Sequence, residues 1–197
     1  MSRVPILSDR GPLFTDPDVS SKVPFIPNGV TADFIAGQQG YSREELDAYA
    51  AASHNKAALA TEKGYFKRSL VPVKNELGDV LLSDDELIRP GSSIESMARL
   101  NPSFEALGAQ GSDELLCKSF PEVDHIPHHH HPGNSPGMVD GASLALLATG
   151  EMAASLGLPV RAEIIGFSAK SAAAIEGLTG GYAAAKDVLE RTGIAGE

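Results

Sequence analysis

From His125 to Ser143 the chain reads His-Ile-Pro-His-His-His-His-Pro-Gly-Asn-Ser-Pro-Gly-Met-Val-Asp-Gly-Ala-Ser. Five of the six histidines in the 197 residues fall here, together with three prolines and three glycines. Proline removes a backbone donor and locks φ, and glycine has the most conformational freedom to lose, so no helix or central strand persists through such a stretch. The segment is therefore a loop. It runs directly into Leu144-Ala145-Leu146-Leu147-Ala148, the most apolar part of the chain. A Gly/Pro-rich loop delivered onto a buried element is a common place for binding residues, because the loop exposes backbone groups and the element holds them still.

Upstream, residues 1–30 carry Pro5, Pro12, Pro17, Pro24 and Pro27 and predict an irregular connecting segment. Thr31 to Ala36 predicts a short helix ended by Gly40. Ser42-Arg43-Glu44-Glu45 has the spacing of a capping box. The helix it opens should run to about Gly64, with Leu46, Ala50, Ser53, Ala57 and Ala60 on the packed face and His54 as a surface or interhelix residue. Leu70 to Leu82 predicts a hairpin around Asn75-Glu76-Leu77-Gly78-Asp79, and Ser83-Asp84-Asp85-Glu86 a solvated acidic turn. Ser92 or Ser93 should cap a helix carrying Ile94, Met97 and Leu100, stopped by Pro102. Gly108 and Gly111 break up residues 105–124, where Cys117 lies in an apolar flank expected to bury it.

Downstream, Leu144 to Ala148 predicts a short buried helix or strand. Gly150 to Leu156 predicts a helix ending at Gly157, Arg161 to Phe167 a strand, and Tyr182 to Thr192 a helix with Ala185, Val188 and Leu189 inward, closed by Gly193.

The formal net charge is −10, which disfavours nucleic acid and anionic membranes as partners. No apolar run reaches the roughly 18 residues of a membrane span, and the Met1-Ser2-Arg3-Val4-Pro5 start lacks the apolar run of a signal peptide. The single cysteine excludes an intrachain disulfide framework. These features point to a cytoplasmic setting.

An ordered series of segments resembles the thiolase family, specifically its middle third. It comprises Gly29-Val30-Thr31-Ala32, the Ser42 to Ala50 helix start with Ser53-His54-Asn55-Lys56-Ala57, and Val71-Pro72-Val73. Next come Ile88-Arg89-Pro90 and Ser96 to Phe104, then Gly133-Asn134-Ser135-Pro136-Gly137-Met138-Val139-Asp140-Gly141-Ala142 and Leu156 to Ala162. The histidines before Gly133 and the insert around Cys117 look nearest to the branch acting on steroid or branched acyl-CoA chains. The resemblance implies an α/β fold of the five-layer αβαβα thiolase type, incomplete here. The expected division is a connecting segment at 1–30, the family's loop domain at 31–132, a return to the N-terminal core at 133–157, and the start of the C-terminal core domain at 158–197.

The same resemblance implies acyl-CoA as substrate, no separate cofactor, and a homo-oligomer in intact members. In the family a cysteine takes the acyl group as a thioester, a histidine activates it, and oxyanion holes stabilise the charged states. The segments carrying those catalytic motifs lie outside the matched stretch, so no catalytic residue is assigned, and the chain is expected to be an inactive portion of an acyltransferase. The other readings are a non-catalytic CoA-binding module and an assembly subunit completed by the missing halves as separate chains. Carried over residue by residue, Arg89 and Ser96 match positions near the CoA nucleotide and pantetheine. Pro132 and Gly133 match pantetheine-contacting backbone. Pro136 stands where many members have a pantetheine-bonding serine, although proline has neither hydroxyl nor N–H. His128 and His130 match histidines of the steroid-type branch and are assigned to an acyl-pocket loop. The run also reads as an incidental exposed stretch, an internal tag or a metal site, although adjacent histidines lack the spacing of a ligand set.

Overall fold

The computed structural model describes residues 16–20 and 22–196. The expected irregularity of residues 1–15 lies outside the described residues. The described residues group into two compact units, Gly29–Gly137 and, separately, the residues up to Asn28 with those from Met138 onward.

In the first unit, α2 (Asn28–Gln39) and α3 (Arg43–Glu62) form the helical frame; a single turn, α1 (Pro17–Ser20), belongs to the other unit. Thus the segment expected to be irregular contains one helical turn, and the helix expected from Thr31 starts at Asn28. The capping box of α3 forms as its spacing requires. The Glu45 N–H donates to Ser42 Oγ at 3.2 Å and the Ser42 N–H donates to Glu45 Oε2 at 2.8 Å, satisfying two of the orphan donors of the first turn.

The packed face of α3 differs from the expected one. Asp47 and Ala51 are its buried residues, while Ser53 is exposed and Leu46, Ala50, Ala57 and Ala60 are half-buried. Counting apolar residues placed the face about one position away, because it gave no weight to a buried carboxylate. Asp47 is buried because partners satisfy it, as described below.

β1 (Val73–Lys74) and β2 (Val80–Leu82) form the expected antiparallel hairpin, with Val73 opposite Leu82 and Lys74 opposite Val80 across an irregular register. Asn75 Oδ1 accepts the N–H groups of Leu77 and Asp79 at 3.0 and 2.9 Å, which closes the turn. Ser93 caps α4 (Ile94–Met97), whose inward residue is Met97. Then α5 (Glu105–Leu107), a π-turn (Gly108–Ser112) and α6 (Asp113–Ser119) follow. Leu116 is the buried residue of α6, and Cys117 beside it is half-buried rather than enclosed. Val30, Phe34, Met97, Leu116 and Ile126 form the apolar centre, and the Phe34 and Phe120 rings meet at 4.8 Å. Burying a side chain of this size contributes about 1.5–3 kcal/mol.

In the second unit, α7 (Gly150–Ser155) and α8 (Gly180–Thr192) form where expected, with a 3-10 turn at Ala174–Glu176. Thr149 caps α7 by accepting the Met152 N–H at 3.2 Å. On α8, Ala184, Asp187, Val188 and Leu189 are half-buried and Ala185 is exposed, a correction to the expected inward set. Asp187 fastens the preceding segment to the helix by accepting from Ser168 Oγ at 2.6 Å and pairing with Lys170 Nζ at 2.8 Å.

Two expectations fail in this unit. Arg161 to Phe167 carries no strand, and Leu144 to Ala148 is neither helical nor buried. Leu144 is 100% exposed and Phe167 80%. The apolar composition was legible, but a strand exists only when another strand satisfies its backbone groups, and none of the described residues does so here.

Candidate functional site

The histidine-rich loop of the first unit closes over α2 and α3 through two buried carboxylates. Asp33 of α2 is fully buried. Its Oδ1 accepts the backbone N–H groups of His129 and His130, both at 2.9 Å, and His130 Nδ1 at 2.7 Å. Its Oδ2 accepts His128 Nδ1 at 2.8 Å, and the other ring nitrogen, His128 Nε2, faces Asp113 Oδ2 of α6 at 3.1 Å. An imidazole with a carboxylate at each nitrogen donates twice only as the imidazolium. Burial alone would lower its pKa; the hydrogen bonds and negative charge of Asp33 and Asp113 outweigh that and raise it. Asp33 shows the mirror effect: burial opposes its charge, but the donors from His130, His129 and His128 hold its pKa below the usual carboxylate value.

Asp47 of α3 anchors the other end of the loop. Its Oδ1 accepts His131 Nε2 at 2.8 Å and Asn134 Nδ2 at 2.9 Å, and its Oδ2 accepts Arg43 Nε at 2.9 Å. His131 Nδ1 accepts the Gly133 N–H at 3.0 Å, so this ring is neutral with its proton on Nε2. Asn134 Oδ1 accepts the His131 N–H at 2.8 Å. Arg43 Nη2 donates to the carbonyls of Met97 and Leu100, both at 2.9 Å. Burial opposes the Asp47 charge, and the donors from His131, Arg43 and Asn134 outweigh it and lower its pKa. A side chain on Gly133 would not fit, since a Cβ there would lie 2.8 Å from His131 and 2.9 Å from Leu100.

A third set of anchors sits further along α3. His54 Nδ1 accepts the Arg89 N–H at 3.2 Å. Asn55 Oδ1 accepts the Gly91 N–H at 3.2 Å, and its Nδ2 donates to the Ser92 carbonyl at 3.0 Å. Arg89 Nη1 reaches across to the Pro132 carbonyl at 3.0 Å. Residues 43, 47 and 54 lie on one stripe of a 3.6-residue helix. That stripe therefore holds the segment after α4 through Arg43, the histidine loop through Asp47, and the Arg89 loop through His54.

The residues singled out in sequence fall as follows. Arg89 and Pro132 are brought together, both exposed. Gly133 is buried with its N–H engaged by His131. Ser96 is exposed, but its hydroxyl donates to the Ser93 carbonyl at 2.8 Å and accepts the Ser93 N–H at 3.2 Å. Pro136 is exposed, next to Ser135, whose Oγ is buried without a partner. His128 and His130 face Asp33 with side chains 9% and 16% exposed, so the run is not an incidental solvated stretch. His125 lines a cavity of about 610 Å³ with Phe34, Glu122 and Asp124. Among the described residues no group of histidine, cysteine and carboxylate side chains has the arrangement of a metal site, and no helix is long and apolar enough to cross a membrane.

Asp33, Asp47, Asp113 and Arg43 were not found by sequence reasoning. The Arg43/Asp47 spacing of four was a signal for a helical ion pair; nothing in the sequence marked that pair as buried.

Comparison with known proteins decides what this frame belongs to. Residues 15–112 match the thiolase N-terminal domain. The chain belongs to the thiolase family. It is 34% identical over 167 residues to an acetyl-CoA acetyltransferase of Shinella zoogloeoides, covering 84% of this chain and 38% of that protein. It is 34% identical over 171 residues to a 3-ketoacyl-CoA thiolase of Aliivibrio fischeri, covering 85% and 39%. The chain thus spans about two fifths of the length of these curated relatives. Superposition on the crystal structure of the dimeric peroxisomal thiolase of Saccharomyces cerevisiae gives a TM-score of 0.39 at 31% identity, over 48% of this chain and 23% of that one. The thiolase-type α/β class expected from sequence accords with the family match. Within it the described residues form helices and one two-stranded sheet.

Proposed function

We propose that this chain is the CoA-binding portion of a thiolase-type acyl-CoA acyltransferase, acting on CoA thioesters by acetyl transfer or by thiolysis of 3-ketoacyl-CoA. The observation that carries this reading is the Arg89–Pro132 contact at 3.0 Å. It joins two segments separately matched to CoA-contacting positions, in a chain whose relatives bear the names acetyl-CoA acetyltransferase and 3-ketoacyl-CoA thiolase.

The chemistry of the surviving groups agrees with ligand binding. One guanidinium nitrogen of Arg89 holds the Pro132 carbonyl, and the rest of the fork has no partner among the described residues, so it is free to meet a phosphate. Ser96 has spent its hydroxyl proton on Ser93, so it serves a ligand as an acceptor. The Gly133 N–H is spent on His131, which leaves backbone carbonyls and shape at this end of the loop. Pro136 contributes surface without a hydrogen bond.

His128 and His130 belong to the acyl-pocket loop in this reading through the fold of the run, with both ring nitrogens of His128 and the Nδ1 of His130 engaged by carboxylates. No catalytic residue is assigned. The one cysteine, Cys117, is half-buried on α6, four residues after the Asp113 that meets His128, and matches none of the family's catalytic cysteines, so this reading assigns the nucleophile and its base to residues outside these 197. The chain alone is therefore inactive, and its setting is cytoplasmic.

Calorimetric titration of the chain with CoA tests the reading. Saturable heat supports it, and no heat at millimolar CoA removes it. In parallel, robust thiolysis of a 3-ketoacyl-CoA by the purified chain would overturn the assignment of catalysis elsewhere.

A second reading, a subunit completed by separate chains, is favoured by the uncovered apolar residues Leu144, Ile164 and Phe167. Light scattering after size exclusion tests it; a stable monomer of 20.6 kDa counts against it.

A further inference from the structure

We propose that His54 and Asn55 are positioning residues that clasp the Arg89 loop to α3 and thereby set the affinity of the Arg89 guanidinium for an anionic, phosphate-bearing ligand. The inference rests on the CoA reading for the identity of that ligand, and on the hydrogen bonds alone for the clasp.

Residues 89–93 form a tight turn whose own bonds are few. Ser92 Oγ donates to the Arg89 carbonyl at 2.7 Å, and Gly91 adopts φ +75°, a conformation that other residues reach only with strain. Three further backbone groups of the turn are met by two adjacent side chains of α3. His54 takes the Arg89 N–H, while Asn55 takes the Gly91 N–H and gives its own N–H to the Ser92 carbonyl. These three bonds bridge 35 to 37 residues of sequence and fix the backbone on both sides of Arg89. The Arg89 side chain then reaches the Pro132 carbonyl, so the turn and the histidine loop are held at one spacing.

A long exposed arginine loses rotamer freedom on binding an anion, and a backbone already fixed reduces that cost. The His54 contact also has a defined chemistry. Nδ1 accepts, so the ring carries its proton on Nε2, and any replacement must present an acceptor at the same distance from Cβ. Asparagine does so through Oδ1, and leucine does not.

The test uses the full chain as wild type, His54→Leu, His54→Asn, Asn55→Leu and Arg89→Ala. Amide hydrogen exchange is read at Arg89 and Gly91, and calorimetry with CoA is run on each. Losing one neutral bond of this kind should speed exchange of the amide concerned by about fivefold. Expected results are faster exchange at Arg89 in His54→Leu, faster exchange at Gly91 in Asn55→Leu, weaker CoA binding in both, and return toward wild type in His54→Asn. The rescue separates positioning from a bulk structural role, because asparagine restores the acceptor without the imidazole volume.

Unchanged exchange at Arg89 and Gly91 in the leucine variants overturns the clasp. Unchanged CoA affinity in those variants, with affinity lost in Arg89→Ala, overturns the positioning role. If the wild-type chain binds no CoA, the CoA reading fails, and the exchange rates still decide the clasp.

Discussion

Replacing Asp47 by alanine is the most demanding perturbation of the histidine loop. The carboxylate is 1% exposed and receives donors from three residues: His131, Asn134 and Arg43. Its removal strands the His131 Nε2–H, whose ring is 0% exposed, and leaves the Arg43 guanidinium, 20% exposed, without its counter-charge. A buried donor left without an acceptor costs about 1–3 kcal/mol, and removing one partner of a buried ion pair costs about 3–5 kcal/mol. These overlap because they share one carboxylate, so the expected loss is about 3–5 kcal/mol, a large share of the 5–15 kcal/mol typical of a domain. With a urea slope of roughly 1–3 kcal/mol/M, the midpoint should fall by more than about 1 M. The assay is urea unfolding at low chain concentration, followed by far-UV circular dichroism. Arg43→Met combined with Asp47→Ala should cost less than the two single changes together, because the pair is then removed as a unit. A loss below about 1 kcal/mol for Asp47→Ala, or full additivity with Arg43→Met, would mean that the network does not hold the loop.

Further expectations follow from the same geometry. The raised pKa of His128 gives a contribution fully present below the ordinary imidazole value and lost as pH rises through the folded one, so the first unit should weaken on the alkaline side, and His128→Gln should remove that limb of a stability–pH profile. Asp33 and Asp47 work in the opposite sense: their lowered values give stability present above the ordinary carboxylate range and lost as pH falls through the folded values, a limb that His128→Gln leaves in place for Asp47 and shortens for Asp33, which loses that imidazole partner. Asp187, held at about 2 chiefly by Lys170 and Ser168, should keep the 168–170 segment on α8 until strongly acidic pH, which amide exchange at those residues would follow. The exposed Leu144, Ile164 and Phe167 should make the isolated chain poorly soluble, and Leu144→Lys with Phe167→Lys should raise its solubility; a sharp melt of a soluble wild-type chain would contradict this.

The parts of the fold legible in sequence were those decided locally. The Ser42 capping box, the Asn75 turn, the Ser93 cap and the helix expected over Gly150 to Leu156 and found at Gly150–Ser155 each depend on residues within a few positions, and each forms. The parts missed depend on distant partners. The histidine run is visible at once, but of the carboxylates that meet it only Asp113 is near in sequence, 15 residues away, while Asp33 lies 95 away and Asp47 84. With 26 acidic residues available, spacing alone could not select them. The packed face of α3 was misplaced for the same reason, because burial of Asp47 is set by Arg43, His131 and Asn134 together. The strand expected at Arg161 to Phe167 had the composition but lacked a partner, and pairing is not a local property. The Arg89–Pro132 contact is the counter-case: two residues chosen separately by resemblance meet in space.

Whether the Arg89 loop and the histidine loop form a binding edge for CoA is read by calorimetry of the wild-type chain against Arg89→Ala. Saturable heat with CoA is expected in the wild type and at least about tenfold weaker binding in Arg89→Ala, because a charge-assisted phosphate contact is lost. Equal affinity in the two proteins, or no heat in the wild type at millimolar CoA, would contradict such an edge.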